Sequence, residues 1–199
     1  MRAVFYGSST ISGAGLAKAE ARFSSLLCRI LGWEERNLGV ADSVVTGRDI
    51  DAQIVSQESG VVRVPDVIDQ KPDVIVVLYG YDDYAADKIV GEPGDFRPGT
   101  FASDYDSMVR GIAGGCGAEK ILVMTLEFAG GGIADRDIEP YNTVIRGLAE
   151  RYGLKLFDTA AVAAAARDAF SAPAAAPYGL SESGHRILSE ALKGVLREG

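Results

Sequence analysis

Apolar and polar positions along this chain switch between two periods. Short unbroken apolar runs occupy 2–6, 73–79 and 120–126, with weaker ones at 35–40 and 154–158. Each run is bounded by turn residues, which predicts parallel strands buried on both faces. Between them the spacing turns helical. Residues 14–31 carry Leu16, Phe23, Leu26, Leu27 and Ile30 at helical intervals, and further helical patterns fall near 99–113, 139–152, 159–170 and 183–197. Ala172–Pro177 reads as a loop. Regular strand–helix alternation predicts an α/β fold, a three-layer α/β/α sandwich around a five-stranded parallel sheet, in one domain over 1–199. In open sheets of this kind the ligand crevice lies beyond the carboxyl ends of the strands. Those ends are Gly7–Ser12, Gly39–Gly47, Gly80–Tyr84 and Glu127–Gly132.

Composition narrows the partners. Hydrophobic residues make up 47% of the chain and charged ones 24%, as in a folded globular domain. The formal net charge is −8 and there is no Lys/Arg run, which disfavours nucleic acid and anionic membranes, since both require a basic surface. Cys28 and Cys116 lack C-x-x-C spacing and read as buried free thiols. The chain opens directly on Arg2–Tyr6, with no charged n-region, no apolar h-region and no run of transmembrane length. The expectation is a cytoplasmic protein acting on a small molecule, with no cofactor and no metal.

Four segments then carry a specific pattern. Gly7-Ser8-Ser9-Thr10 follows the first strand and opens a helix. Pro65-Asp66-Val67-Ile68 leads through Lys71-Pro72-Asp73 into a strand ending Gly80-Tyr81-Asp82-Asp83. Tyr141–Arg146 leads through Ala149–Gly153 to Phe157-Asp158, and Leu180-Ser181-Glu182-Ser183-Gly184-His185 begins the last helix. In this order and spacing the chain resembles the SGNH (GDSL-type) hydrolase family over nearly its whole length, which implies the flavodoxin-like SGNH fold. Fold does not by itself assign function.

The resemblance implies four functional blocks, and the residues depart from most of them. The family's Gly-Asp-Ser places Ser9 on the nucleophile, which also lends its backbone N–H to the oxyanion hole, while Ser8 stands for the aspartate. The block that supplies an oxyanion-hole glycine aligns, from Asn37-Leu38-Gly39-Val40, with Asp42 on that glycine; Gly39 is the rival assignment. In Gly-x-Asn-Asp, Asp82 stands where an asparagine donates to the oxyanion, and Asp83 follows. Matching Leu180–Arg186 to the family's last helix puts Gly179 on the catalytic histidine and Ala176 on its aspartate. The single histidine, His185, then falls past the base position. A second register pairs Glu182 with His185 as an acid–histidine couple. Residues i and i+3 of a helix do share a face, but that places His185 inside the helix rather than on the loop facing Ser9.

Chemistry weighs on the same residues. A serine hydroxyl is a poor nucleophile without an adjacent base, and acyl transfer needs donors aimed at the oxyanion, often worth about 3–4 kcal/mol each. An ionised carboxylate at position 82 would repel that oxyanion. Asp82 and Asp42, with Ser8, Gly39, Tyr81, Asp83, Glu127 and Tyr178 as candidate neighbours, would form an acidic pocket; the resemblance also implies a structural role for Asp83 in bonding neighbouring loops, and Tyr81 reads equally as packing. Such a pocket could serve as general acid and base or hold a cationic or amine-bearing substrate. The leading expectation is non-hydrolytic acid–base work beside Ser9: cyclisation, isomerisation or elimination, as in biosynthetic tailoring. The alternatives are a serine esterase using Ser9 with His185 and Glu182, and a noncatalytic small-molecule-binding protein.

Overall fold

The computed structural model describes residues 1–47, 56–92, 94, 97–126, 135–166 and 180–197. Five parallel strands form one sheet in the order β2-β1-β3-β4-β5: β1 (Arg2–Gly7), β2 (Glu34–Gly39), β3 (Val74–Leu78), β4 (Ile121–Met124) and β5 (Lys155–Phe157). The order reverses at β1, and the crevice that such a switch point leaves lies beyond the carboxyl ends of β1, β2 and β3. The central strands are apolar throughout because helices cover both faces. Val4, Phe5, Tyr6, Val76 and Val77 are all fully buried.

The helices are α1 (Ser9–Ser12), α2 (Phe23–Leu31), α3 (Val64–Asp69), α4 (Tyr81–Ala85), α5 (Phe101–Cys116), α6 (Asp135–Tyr152), α7 (Thr159–Ala165) and α8 (Glu182–Arg197). The α/β architecture expected from the sequence is the one observed, and the strand and long-helix boundaries agree within a few residues. The helix expected over 14–31 is interrupted. Gly15 takes a left-handed φ of 86°, and Lys18 and Arg22 are extended on either side of a short 3-10 turn at Ala19–Ala21, so the regular helix begins only at Phe23. The short helices α3 and α4 carry too few apolar positions to show a period.

α2 packs on α8, and His185 lies at their junction. The imidazole is fully buried and stacks on Phe23 at 5.8 Å, with 15° between the ring planes. Its Nδ1 accepts the Phe23 N–H at 3.1 Å. Phe23 opens α2, and Arg22 before it offers no side-chain cap, so His185 satisfies an otherwise orphaned helix N–H from a distant helix. An Nδ1 that accepts cannot also donate to a carboxylate, as an acid–histidine couple requires. Glu182 sits exposed in the first turn of α8 and does not supply His185's hydrogen bond. The Glu182–His185 couple expected from the alternative register is therefore not formed. The helix cap competes for the nitrogen it needs.

Burial, together with the nearby Arg22 charge, holds His185 down at about 4, against an ordinary value of 6.5. A depressed folded-state value means that the unfolded chain binds the proton first as pH falls. The stability from a neutral His185 is complete above about pH 6.5 and is lost as pH drops through about 4, with an upper bound of roughly 3 kcal/mol. Replacing His185 with Leu should cost about 2–3 kcal/mol at pH 7 by leaving the Phe23 N–H unpaired. The difference between wild type and His185→Leu in urea denaturation should then shrink steadily from pH 6.5 to pH 4. A constant difference would show that the cap does not titrate.

Candidate functional site

At the crevice the chain leaves β1 through Ser8 into α1, and Ser9 is the first helical residue. Ser8 is buried, donating its N–H to the Leu78 carbonyl at 3.4 Å and accepting the Ser12 N–H at 2.9 Å. Its backbone thus bridges β3 and α1. The tight turn also needs Gly39 on the neighbouring strand, since a Cβ there would lie 2.3 Å from the Ser12 nitrogen. The Gly39 N–H is already given to Asn37 Oδ1 at 2.9 Å. Of the two rival oxyanion-hole assignments, Gly39 is thus a packing residue with its donor committed.

Asp42 holds the other position. Its N–H donates to Ser9 Oγ at 2.9 Å. Its φ of 60° is the left-handed conformation that glycine adopts without strain and that aspartate tolerates better than most residues. Its side chain is exposed at the mouth of the crevice.

Asp82 closes the arrangement from β3. Gly80, at φ 133° and pressed against Leu126, lets the chain turn directly from the strand into α4. The next turn presents Asp82 to α1. Asp82 Oδ1 accepts the Ser9 hydroxyl at 2.7 Å and Oδ2 accepts the Ser9 N–H at 3.2 Å. Both groups that the resemblance assigns to acyl chemistry, the nucleophile's proton and its backbone donor, are bound to this one carboxylate. With the Asp42 N–H on its oxygen as well, Ser9 Oγ has a donor and an acceptor in place and is only 3% exposed.

Asp83, the next residue, faces the other way and is fully buried. It accepts the Val45 N–H on both oxygens at 3.0 Å, and on Oδ1 also the Thr46 N–H at 3.2 Å and the Thr46 hydroxyl at 2.7 Å. Desolvation raises its carboxyl to about 6 from an ordinary 3.8, with the Thr46 and Val45 donors opposing the rise and Asp82 adding to it. Of the two readings of Asp83, the pocket-lining one is corrected and the structural one holds: its oxygens are turned into the protein to bond Val45 and Thr46. Tyr81 is likewise buried, at 3% exposure, and forms part of the core rather than an exposed wall.

The structure thus brings together Ser9, Asp42 and Asp82, with Ser8 and Gly39 shaping the turn. It leaves Glu182 and His185 in α8, engaged elsewhere. Glu127, Ala176, Tyr178 and Gly179 lie outside the described residues. Two contributors carry no chemical signal of their own in the sequence, although Asn142 lies in the Tyr141–Arg146 segment of the pattern. Thr46 receives attention only once Asp83 is seen beside it. Asn142, on α6, grips the Leu126 backbone with both ends of its amide at 2.7 Å and so anchors the end of the β4 segment. Among the described residues no group of three acidic, histidine or cysteine side chains is placed to hold a metal ion, and no helix is long and apolar enough to cross a membrane. A cavity of about 430 Å³ lies apart from Ser9, between the 89–92 strap and α6 at Pro140, Thr143 and Val144.

The left-handed turn at Asp42 can be tested by substitution. Asp42→Gly removes backbone strain while keeping the N–H, and thermal denaturation should place it within about 1 kcal/mol of wild type, because relief of strain offsets the greater chain entropy of glycine. Asp42→Val puts a β-branched residue at the same φ and should cost about 1–3 kcal/mol. Equal stability of the two variants would mean that the turn is not held in this conformation.

Comparison with known proteins agrees with this fold. Among solved structures, the fold is similar to a protein from Lactobacillus plantarum (22% identity, TM-score 0.74, covering 99% of this chain and 96% of that one). It is also similar to the lipase/acylhydrolase from Enterococcus faecalis (19% identity, TM-score 0.74, 99% and 95%) and to the acetyl xylan esterase AlAXEase (20% identity, TM-score 0.71, 98% and 100%). At these identities the likeness establishes the fold alone. No curated protein sequence matches significantly. The model of the GDSL-like lipase/acylhydrolase family matches residues 5–187, nearly the whole chain, and the protein belongs to that family.

Proposed function

We propose that this protein is an enzyme that acts on a small molecule through the Ser9–Asp82 pair, with Asp82 as the proton-accepting and charge-bearing group and Ser9 as its hydrogen-bonding partner. The observation that carries this reading is the double bond from Asp82 to the Ser9 hydroxyl and the Ser9 N–H. An acyl-transfer site needs that N–H free for an oxyanion, and a carboxylate seated on it disfavours developing negative charge. The same carboxylate favours developing positive charge and can take a proton from carbon, nitrogen or oxygen. The chain's single histidine caps α2, which further supports a reaction that does not rely on a serine–histidine relay. The chemistry that fits is cyclisation, isomerisation or elimination. A substrate bearing an amine or other cationic group would meet Asp82 and the exposed Asp42 carboxylate at the crevice mouth.

A second reading is a serine esterase. It is favoured by Ser9 at the family's nucleophile position and by the Asp42 N–H already aimed at Ser9 Oγ, and the fold is shared with an acetyl xylan esterase. A noncatalytic binding protein is the third reading.

A fluorophosphonate probe and simple acyl esters separate the first two. We expect no stoichiometric labelling of wild type and no ester hydrolysis that depends on Ser9. Labelling that disappears in Ser9→Ala would establish the esterase. In a panel of amine-bearing compounds, stabilisation in thermal denaturation should be lost in Asp82→Asn, with turnover of a bound compound down by at least ~10²-fold. Binding that survives Asp82→Asn, with no compound converted, would leave a binding protein.

A further inference from the structure

Arg22 immediately precedes α2, which runs back from the carboxyl ends of the strands, so Arg22 lies at the crevice end of the domain. Its side chain packs on the end of α1. A Cβ at Gly13 would lie 2.8 Å from Arg22 Cγ and 2.9 Å from Arg22 Nε, and the Gly13 N–H bonds back to the Ser9 and Thr10 carbonyls. We propose that Arg22 is a specificity-determining residue of the Ser9 site that takes a carboxylate of the substrate, making the substrate an amino acid whose ammonium meets Asp82. Four residues of helix separate Ser9 from Gly13, about 6 Å along the axis, so the two charged groups stand several carbons apart. The ammonium half rests on the reading of Asp82 given above; the carboxylate half does not.

Three observations support it. First, this guanidinium lacks an anion. Its Nε is buried without an acceptor, and among the described residues Arg22 forms no ion pair, although the chain carries a net charge of −8. Glu20, in the turn before, is exposed, and Glu35 Oε2 accepts the Ser25 hydroxyl at 2.8 Å. Second, the neighbours add positive potential rather than cancel it. α2 has nine residues, no acid in its first turn and no side-chain cap, so the positive end of its dipole lies beside Arg22. His185 carries another orphaned donor. With Nδ1 accepting the Phe23 N–H, its Nε2 bears the hydrogen and has no acceptor, and the ring is near enough to feel the Arg22 charge. Third, the group has the right form and place. A guanidinium fork matches a carboxylate in two parallel bonds, and glycine at position 13 leaves it room against the helix that carries Ser9.

The arginines that serve the fold look different. Arg2 donates to the Gln70 carbonyl, Arg63 to the Leu38 carbonyl and Arg151 to Asp106. Arg22 is tied to neither a carbonyl nor an acid among the described residues. A half-buried charge with an unmet donor costs stability in the free protein, and a bound carboxylate would remove that cost. Arg22→Met keeps an apolar stem against Gly13 and removes the charge, so the folded domain loses no bond by it.

The test is titration calorimetry of the full chain with straight-chain ω-amino acids of about three to eight carbons, each beside the alkylamine and the alkanoate of equal length. An amino acid of intermediate length should bind most tightly. Arg22→Met should weaken the amino acids and alkanoates by about 10- to 100-fold and leave the alkylamines unchanged. Its thermal denaturation without ligand should match or exceed that of wild type. Arg22→Lys, which keeps the charge but not the fork, should lose part of the affinity for the same two ligand classes and none for the alkylamines. The proposal is overturned if no carboxylate-bearing compound binds, if Arg22→Met binds them as wild type does, or if it weakens alkylamines equally, which marks a structural role. Alkanoates bound through Arg22 while alkylamines ignore Asp82→Asn would uphold the carboxylate site and remove the amine reading of Asp82.

Discussion

Two consecutive carboxylates on the first turn of α4 organise the crevice. Successive residues of a helix point about 100° apart, so Asp82 and Asp83 face different partners from one rigid base. Asp82 reaches α1 and takes both donors of Ser9; Asp83 reaches the turn after β2 and takes those of Val45 and Thr46. The loops leaving β1 and β2 are thereby tied to the loop leaving β3. Gly80 makes this possible, because its φ of 133° lets the strand pass into the helix without an intervening loop. The three loops thus share one support, added to the backbone bonds from Ser8 to Leu78 and from Val40 to Gly7.

The arrangement explains how the family scaffold can carry carboxylates at positions 42 and 82 without losing its fold. The turn geometry around Ser9 rests on backbone contacts: Ser8 to Leu78 and Ser12, and Gly39 against Ser12. None of these requires a particular side chain at 42 or 82. Carboxylates can therefore occupy both places while Ser9 and the Asp42 N–H keep their relation. His185 shows the same separation of scaffold from site. It lies in the stretch of sequence where the family's base would be sought, yet its work is to cap α2 and stack on Phe23.

Much of the architecture was legible in the pattern of apolar positions. The buried strands read clearly because parallel strands covered on both faces must be apolar throughout. The long helices read clearly because each buries one stripe. The late start of α2 did not, since Leu16 and Phe23 keep helical spacing across Lys18 and Arg22, which are extended. Helices α3 and α4 were too short to show a period. In the site, Ser9, Asp42 and Asp82 could be named from motif order, because strand ends in this topology converge. For Asp83 the sequence leaves a pocket role and a loop-bonding role both open, and its partner Thr46 carries no signal. Their pairing spans 37 residues and depends on which way one turn of α4 faces.

The sequence by itself determined the α/β layering and the acidic character of the residues at the strand ends, since these follow from local periodicity and residue type; the strand order came from the tertiary structure. Only the tertiary structure decided what each acid does. A carboxylate's role depends on which donors meet it and how much water is excluded, and both are set by segments far apart in the chain. Asp82 and Asp83 are identical and adjacent in sequence, yet one grips the candidate reaction centre and the other the turn beside it. His185 was decided in the same way, by the orphaned N–H of a helix 162 residues away.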